Sequence, residues 1–175
     1  MSLVIMHSDI TAEKNTTSGL RWIWLSVLVF AVDQITKLAI AKTFDLYESV
    51  AITPFFNLVS VRNYGAAFSF LSDAGGWQRW FFTAIALLVS GLLLWWMKQT
   101  PAKQKWQAIA YALVLGGALG NVFDRVVFGY VIDFLDFYVG SYHWPSFNVA
   151  DSAICVGAVL LVLDSIFSPQ SKDAK

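Results

Sequence analysis

The chain has 175 residues, room for one domain; 57% of them are hydrophobic and only 14% charged, with a formal net charge of zero. A soluble domain is about 45–50% apolar and about 25% charged, so a soluble protein this small has too little surface to carry the imbalance, and a bilayer is the solvent the composition demands. The zero charge gives no argument for a nucleic-acid partner, the single cysteine, Cys155, excludes an intrachain disulfide, and His7 and His143 come without HExxH or CxxC spacing, so no metal and no cofactor is expected.

Residues 1–19 are polar and read as a loose cytoplasmic tail. The first stretch able to span, about 20 mostly apolar residues, runs from Leu20 to Ile40. It lacks a small-residue cleavage site and reads as a retained anchor. A long segment follows, Lys42 to Gly76, with strand-like runs Val50-Ala51-Ile52 and Phe55–Val61. Gly65–Leu71 within it is apolar and small enough to lie along a membrane surface and close over a bound peptide. Span two is Trp77 to Met97, span three Trp106 to Phe123, and span four Asn148 to Phe167. Between the last two lies Arg125–Phe147, containing Val131–Tyr138, and residues 168–175 form a second tail. Cys155, inside the fourth apolar run, reads as an inert buried thiol. The expected fold is thus an all-α membrane protein, one four-span domain over residues 20–167, with a small strand-like and amphipathic extracytoplasmic segment between helices 1 and 2.

Trp22, Trp24, Trp77, Trp80, Trp95, Trp96 and Trp106 cluster near span ends, as an aromatic belt does. Lys14 and Arg21, then Lys98, Lys103 and Lys105, then Lys172 and Lys175 flank one side of a four-span chain. The positive-inside rule therefore puts both termini in the cytoplasm.

Ionisable residues inside a membrane are costly and mark function by default. Asp33 and Lys37 share one face of span one at i and i+4, roughly 18 and 24 Å above Arg21 at 1.5 Å per residue. Asn121, Asp124 and Arg125 end span three, Asn148 and Asp151 begin span four, and Arg62 and Asn63 lie in the first outer segment. All converge just below the outer surface. Taken singly, each has a plain structural explanation: an ion pair, interhelical glue or an interfacial anchor. Three carboxylates at one level, Asp124, Asp133 and Asp151, are harder to explain that way.

Neither Cys155 nor any serine has the sequence context of an activated nucleophile. Two carboxylates sharing one proton remain: the ionised one activates water and the protonated one donates to the scissile carbonyl. The repeated Asn121-x-x-Asp124 and Asn148-x-x-Asp151 favour Asp124 with Asp151. Against that, Asp124 has Arg125 beside it, whereas Asp133 sits among apolar residues that favour protonation. A small proton-coupled transporter is the alternative, since buried aspartates also relay protons, although transporter sites usually lie near the midplane.

Asp33-Gln34-Ile35-Thr36-Lys37, Arg62-Asn63-Tyr64-Gly65-Ala66-Ala67-Phe68, Gly120-Asn121-Val122-Phe123-Asp124-Arg125, Val131-Ile132-Asp133-Phe134 and Phe147-Asn148-Val149-Ala150-Asp151-Ser152 together resemble, in order, the motif set of the lipoprotein (type II) signal peptidases. The resemblance covers about Trp22 to Phe167. It implies a membrane aspartyl endopeptidase of the bacterial inner membrane, acting at its periplasmic face. Such an enzyme removes the signal peptide of diacylglyceryl-modified prolipoproteins just before the lipidated cysteine. It further implies Asp133 and Asp151 as the catalytic pair, with Asn63, Asn121, Asn148 and Arg125 orienting substrate, Asp124 supporting, and Asp33 and Lys37 bracing the site. The expected partners are the prolipoprotein and membrane lipid, with the enzyme acting as a monomer.

Overall fold

The computed structural model describes residues 18–65 and 75–167. A short 3-10 turn, Gly19–Trp22, leads into α1 (Ile23–Thr43); α2 (Trp77–Gln99), α3 (Lys105–Val127) and α4 (Val149–Phe167) follow. All four are long and apolar enough to cross a membrane. Span three continues one turn past the expected Phe123, so Asp124 and Arg125 belong to the last turn of α3 and not to a loop.

The all-α expectation needs correction. Strands β1 (Ser49–Thr53), β2 (Phe56–Asn63), β3 (Val131–Val139) and β4 (Tyr142–His143) form one antiparallel sheet in the order β1-β2-β3-β4. β1 and β2 are the strand-like runs read from the first outer segment. β3 comes from the second, two spans further along the chain, and pairs with β2 from Phe56↔Phe137 to Asn63↔Val131. Strand preference depends on the neighbours a strand packs against, and here the neighbour is distant in sequence. A register shift between Leu58 and Val61 gives β2 one extra residue at Val59–Ser60. Asn57 Nδ2 donates to Asp136 Oδ2 at 2.8 Å and His143 Nδ1 lies 2.9 Å from both oxygens of Asp136, a polar clasp across β2, β3 and β4.

α3 is the central post. It packs against α1, α2 and α4, and its small residues Ala108, Ala112, Gly116, Gly117, Ala118 and Gly120 are buried. Without a hydrophobic drive between helices in lipid, such residues admit close backbone approach. An added Cβ at Gly120 would stand 2.5 Å from Asp33 Oδ2, and one at Gly117 would collide with the Ala150 carbonyl. α1, α2 and α4 turn Val27, Ile35, Leu88, Val156 and Val159 outward, onto faces that suit lipid. Cys155 is also exposed, so it is not the buried thiol expected from its apolar surroundings. At the end of the bundle away from the sheet, the Gly19 amide donates to Thr100 O at 2.9 Å and Arg21 Nη2 to Ala102 O at 3.0 Å. The surface-lying stretch expected at Gly65–Leu71 falls, from residue 66 onward, outside the described residues.

Candidate active site

Chain direction brings the C-terminal ends of α1 and α3, the N-terminal end of α4 and the start of β3 to one end of the bundle. Asp33, Lys37, Asn63, Asn121, Asp124, Arg125, Asp133, Asn148 and Asp151 lie there within one connected polar network, whereas the Arg62 guanidinium stands 4.7 Å from the ring centre of Tyr130.

On α1, Asp33 and Lys37 are buried and paired at 2.7 Å, as their i,i+4 spacing requires. Lys37 Nζ also lies 2.9 Å from Asp124 Oδ2 and donates to Asn121 Oδ1 at 3.0 Å. Asp124 is therefore neutralised by Lys37 and not by its sequence neighbour Arg125. Successive helical residues point about 100° apart, and Arg125 turns the other way. It donates to the carbonyls of Gly65 (2.8 Å) and Asn121 (3.3 Å), with its guanidinium 5.8 Å from the ring centre of Phe82. Both oxygens of Asp124 are engaged, as are those of Asp133 and Asp151 described below. Oδ1 accepts from Gln34 Nε2 at 2.9 Å and Oδ2 accepts the Ile132 amide at 3.3 Å.

The apparent symmetry of Asn121-x-x-Asp124 and Asn148-x-x-Asp151 dissolves in three dimensions. Asn121 and Asp124 sit inside α3, whereas Asn148 precedes α4 and forms a reciprocal capping box with Asp151. Asn148 Oδ1 accepts the Asp151 amide at 3.0 Å, and Asp151 Oδ2 accepts the Asn148 amide at 3.3 Å. The other oxygen of Asp151 accepts from Asn121 Nδ2 at 2.8 Å.

Asp133 stands on β3, 2% exposed. Asn148 Nδ2 donates to its Oδ1 at 2.7 Å and Asn63 Nδ2 to its Oδ2 at 2.9 Å. Asn63 is held in turn, because its Oδ1 accepts the Gly65 amide at 2.9 Å. Burial and, second to it, the nearby charge of Asp151 push the Asp133 carboxyl up to about 7; the two asparagine donors and Lys37 restrain the rise. Burial and the Asp151 charge both favour the protonated form of this carboxyl.

Two neighbours of the network stood in the quoted motifs without being given a part. Gln34 bridges α1 and α3, donating to Asp33 Oδ2 (3.1 Å), Asp124 Oδ1 and Gly120 O (3.3 Å). Its position directly after Asp33 was the available signal. Gly120 is the second, and only its contact with Asp33 explains it.

Comparison with known proteins bears on the family and the fold. The pattern defining Peptidase_A8, signal peptidase (SPase) II, matches residues 25–167. The lipoprotein signal peptidase of Alteromonas mediterranea is 62% identical over 147 residues, 84% of this chain and 81% of that one. That of Vibrio campbellii is 57% identical over 159 residues, 90% and 93% of the two chains. A solved structure described as a bacterial membrane enzyme, determined by the in meso method at 2.3 Å resolution, superimposes with a TM-score of 0.76 at 33% identity, covering 89% of this chain and 94% of that chain. These likenesses do not favour the transporter alternative.

Proposed function

This chain belongs to the signal peptidase II family, and from that premise we propose that it cleaves diacylglyceryl-modified prolipoproteins before the lipidated cysteine, with Asp133 and Asp151 as its catalytic pair. The observation that carries the assignment is Asn148. Its amide nitrogen is on Asp133 and its amide oxygen on the backbone of Asp151, so one side chain gauges the two carboxylates against each other.

In the proposed reaction Asp151 is ionised and Asp133 protonated. Asp151 takes a proton from water as the water oxygen attacks the scissile carbonyl carbon, and Asp133 gives its proton to the carbonyl oxygen. Collapse of the tetrahedral intermediate breaks the C–N bond. The proton on Asp151 passes to the leaving cysteine nitrogen, and the hydroxyl proton returns to Asp133. The signal peptide leaves as a carboxylic acid and the mature chain begins with a free α-amine. Asn63, Asn121 and Asn148 hold the carboxylates, and Arg125, anchored on Gly65 O, orients the substrate backbone beside them.

A multi-pass inner-membrane protein follows from four spans and the family. The finer placement is part of the proposal. Lys98, Lys103 and Lys105 flank the end of the bundle opposite the pair, which supports cytoplasmic termini and a site at the periplasmic face. A membrane-level site also suits a substrate whose acyl chains stay in lipid, each buried methylene being worth about 0.8 kcal/mol. A single copy of the chain brings together both carboxylates and the residues that hold them, which suits action as a monomer. Incubating the purified protein with a lipidated prolipoprotein tests the reading: release of the signal peptide is expected, and an intact substrate would overturn it.

A further inference from the structure

Lys37 forms no hydrogen bond or ion pair with either aspartate of the pair, yet its side chain organises both of their surroundings. It is 1% exposed, and its ammonium reaches three oxygens: Asp33 Oδ2 at 2.7 Å, Asp124 Oδ2 at 2.9 Å and Asn121 Oδ1 at 3.0 Å. An ammonium has three donors and no acceptor, so three partners match its full capacity.

Each partner extends to the catalytic pair. Asp33 Oδ1 accepts the amide of Ala150 at 2.9 Å, the residue immediately before Asp151. Asp124 Oδ2 accepts the amide of Ile132 at 3.3 Å, the residue immediately before Asp133. Asn121 holds its oxygen toward Lys37, which turns its NH2 toward Asp151 Oδ1 at 2.8 Å. A donor-only ammonium cannot face the NH2, so Lys37 fixes which way this amide lies. The three arms end on α4 at Ala150, on β3 at Ile132 and on α4 again at Asp151. A mere i,i+4 ion pair on α1 needs none of them.

We propose that Lys37 is a positioning residue for the reaction, setting the placement of Asp133 relative to Asp151 through the backbone amides that precede them and through the amide of Asn121. The proposal rests on the assignment of that pair. Lys37 is too buried to meet substrate, so its influence falls on turnover and not on substrate affinity. Displacing a reacting group by about 1 Å from a distant site can lower the rate about a hundredfold.

Removing Lys37 alone leaves two buried carboxylates without a counter-charge, which compromises folding. The double variant Asp33→Asn/Lys37→Met avoids this: one lysine and two aspartates, net −1, become one aspartate, net −1. Cleavage of a lipidated prolipoprotein by this variant should show kcat lowered about a hundredfold, with KM within about twofold of the unmodified chain and a cooperative thermal transition retained. If the double variant does not fold, Lys37→Arg keeps the positive charge and changes the geometry of its donors, and the same fall in kcat at near-constant KM is expected. A folded variant with unchanged kcat, or one in which only KM rises, overturns the proposal. Asp133→Asn and Asp151→Asn in the otherwise unmodified chain are run in parallel. If either cleaves normally, the pair itself is misassigned. If both are inactive while the Lys37 variant turns over normally, only the positioning role fails.

Discussion

Asn148 Nδ2 donates to Asp133 Oδ1 at 2.7 Å, tying the cap of α4 to the start of the sheet's third strand. Through its other end the same side chain caps the helix that carries Asp151. The geometry of the proposed pair and the start of a membrane-spanning helix are therefore one structural unit.

Replacing either carboxylate of that unit should stop the reaction without unfolding the protein. Positioned acid–base groups contribute about 10²–10⁴-fold, so Asp133→Asn and Asp151→Asn should each lower kcat by at least about a hundredfold while the thermal transition is kept. Asp124→Asn should behave differently. It weakens a charged contact with Lys37, worth about 2 kcal/mol, and should lower the melting temperature as well as activity. Signal-peptide release and thermal unfolding of the same preparations separate the two behaviours. Near-normal turnover by Asp133→Asn would return Asp124 to consideration.

The pH response follows from the raised Asp133 carboxyl, moved from 3.8 to about 7. Between those values the unfolded chain has released this proton while the folded protein keeps it. The unfolded state binds fewer protons, so this group costs stability progressively as pH rises through the window, and the cost is constant above it. Asp133→Asn, permanently neutral, should lose less thermal stability than the unmodified chain between about pH 4 and pH 7. Activity should fall as pH rises past about 7, where the proton donor is lost, although the coupled pair titrates as a unit. Asn63 donates to Asp133 and favours its ionised form, so Asn63→Ala should move that alkaline limb upward. An unmoved limb would show that Asp133 is not the proton donor.

Gly120→Ala should be among the most damaging single-methyl changes in the chain. The added carbon would meet Asp33 Oδ2 at 2.5 Å, forcing α1 away from α3 where Lys37 joins them. Overpacking of a tight interior typically costs about 1–3 kcal/mol, and here it also displaces the network. Lower thermal stability together with reduced cleavage is expected. The control is Gly91→Ala, whose Cβ meets nothing within 4 Å and which should be silent in both measurements.

Orientation is open to direct labelling. After replacement of the exposed Cys155, single cysteines in the Lys98–Lys105 loop should resist membrane-impermeant thiol reagents added to intact cells. Cysteines at Asp45 or Tyr142, near the sheet, should label. The reverse pattern would place the site on the cytoplasmic side.

The four spans and the roster of polar residues were fixed by sequence, because lipid imposes a composition no soluble helix needs and makes each buried charge conspicuous. Asp33 with Lys37 was legible as a pair, since helical spacing is local. What only tertiary structure decided is everything that joins distant segments. The pairing of β2 with β3 depends on two spans folding back between them. Asp124 takes its counter-charge from α1 and not from the adjacent Arg125, because helical rotation turns sequence neighbours apart. Two motifs that look alike on paper became a mid-helix cluster and a helix cap, because Asn121 lies well inside α3 while Asn148 stands at the point where α4 begins. Backbone amides such as those of Ile132 and Ala150 carry no side-chain signature, so their part in holding the two aspartates emerges only when three helices and a strand meet at one level of the bundle.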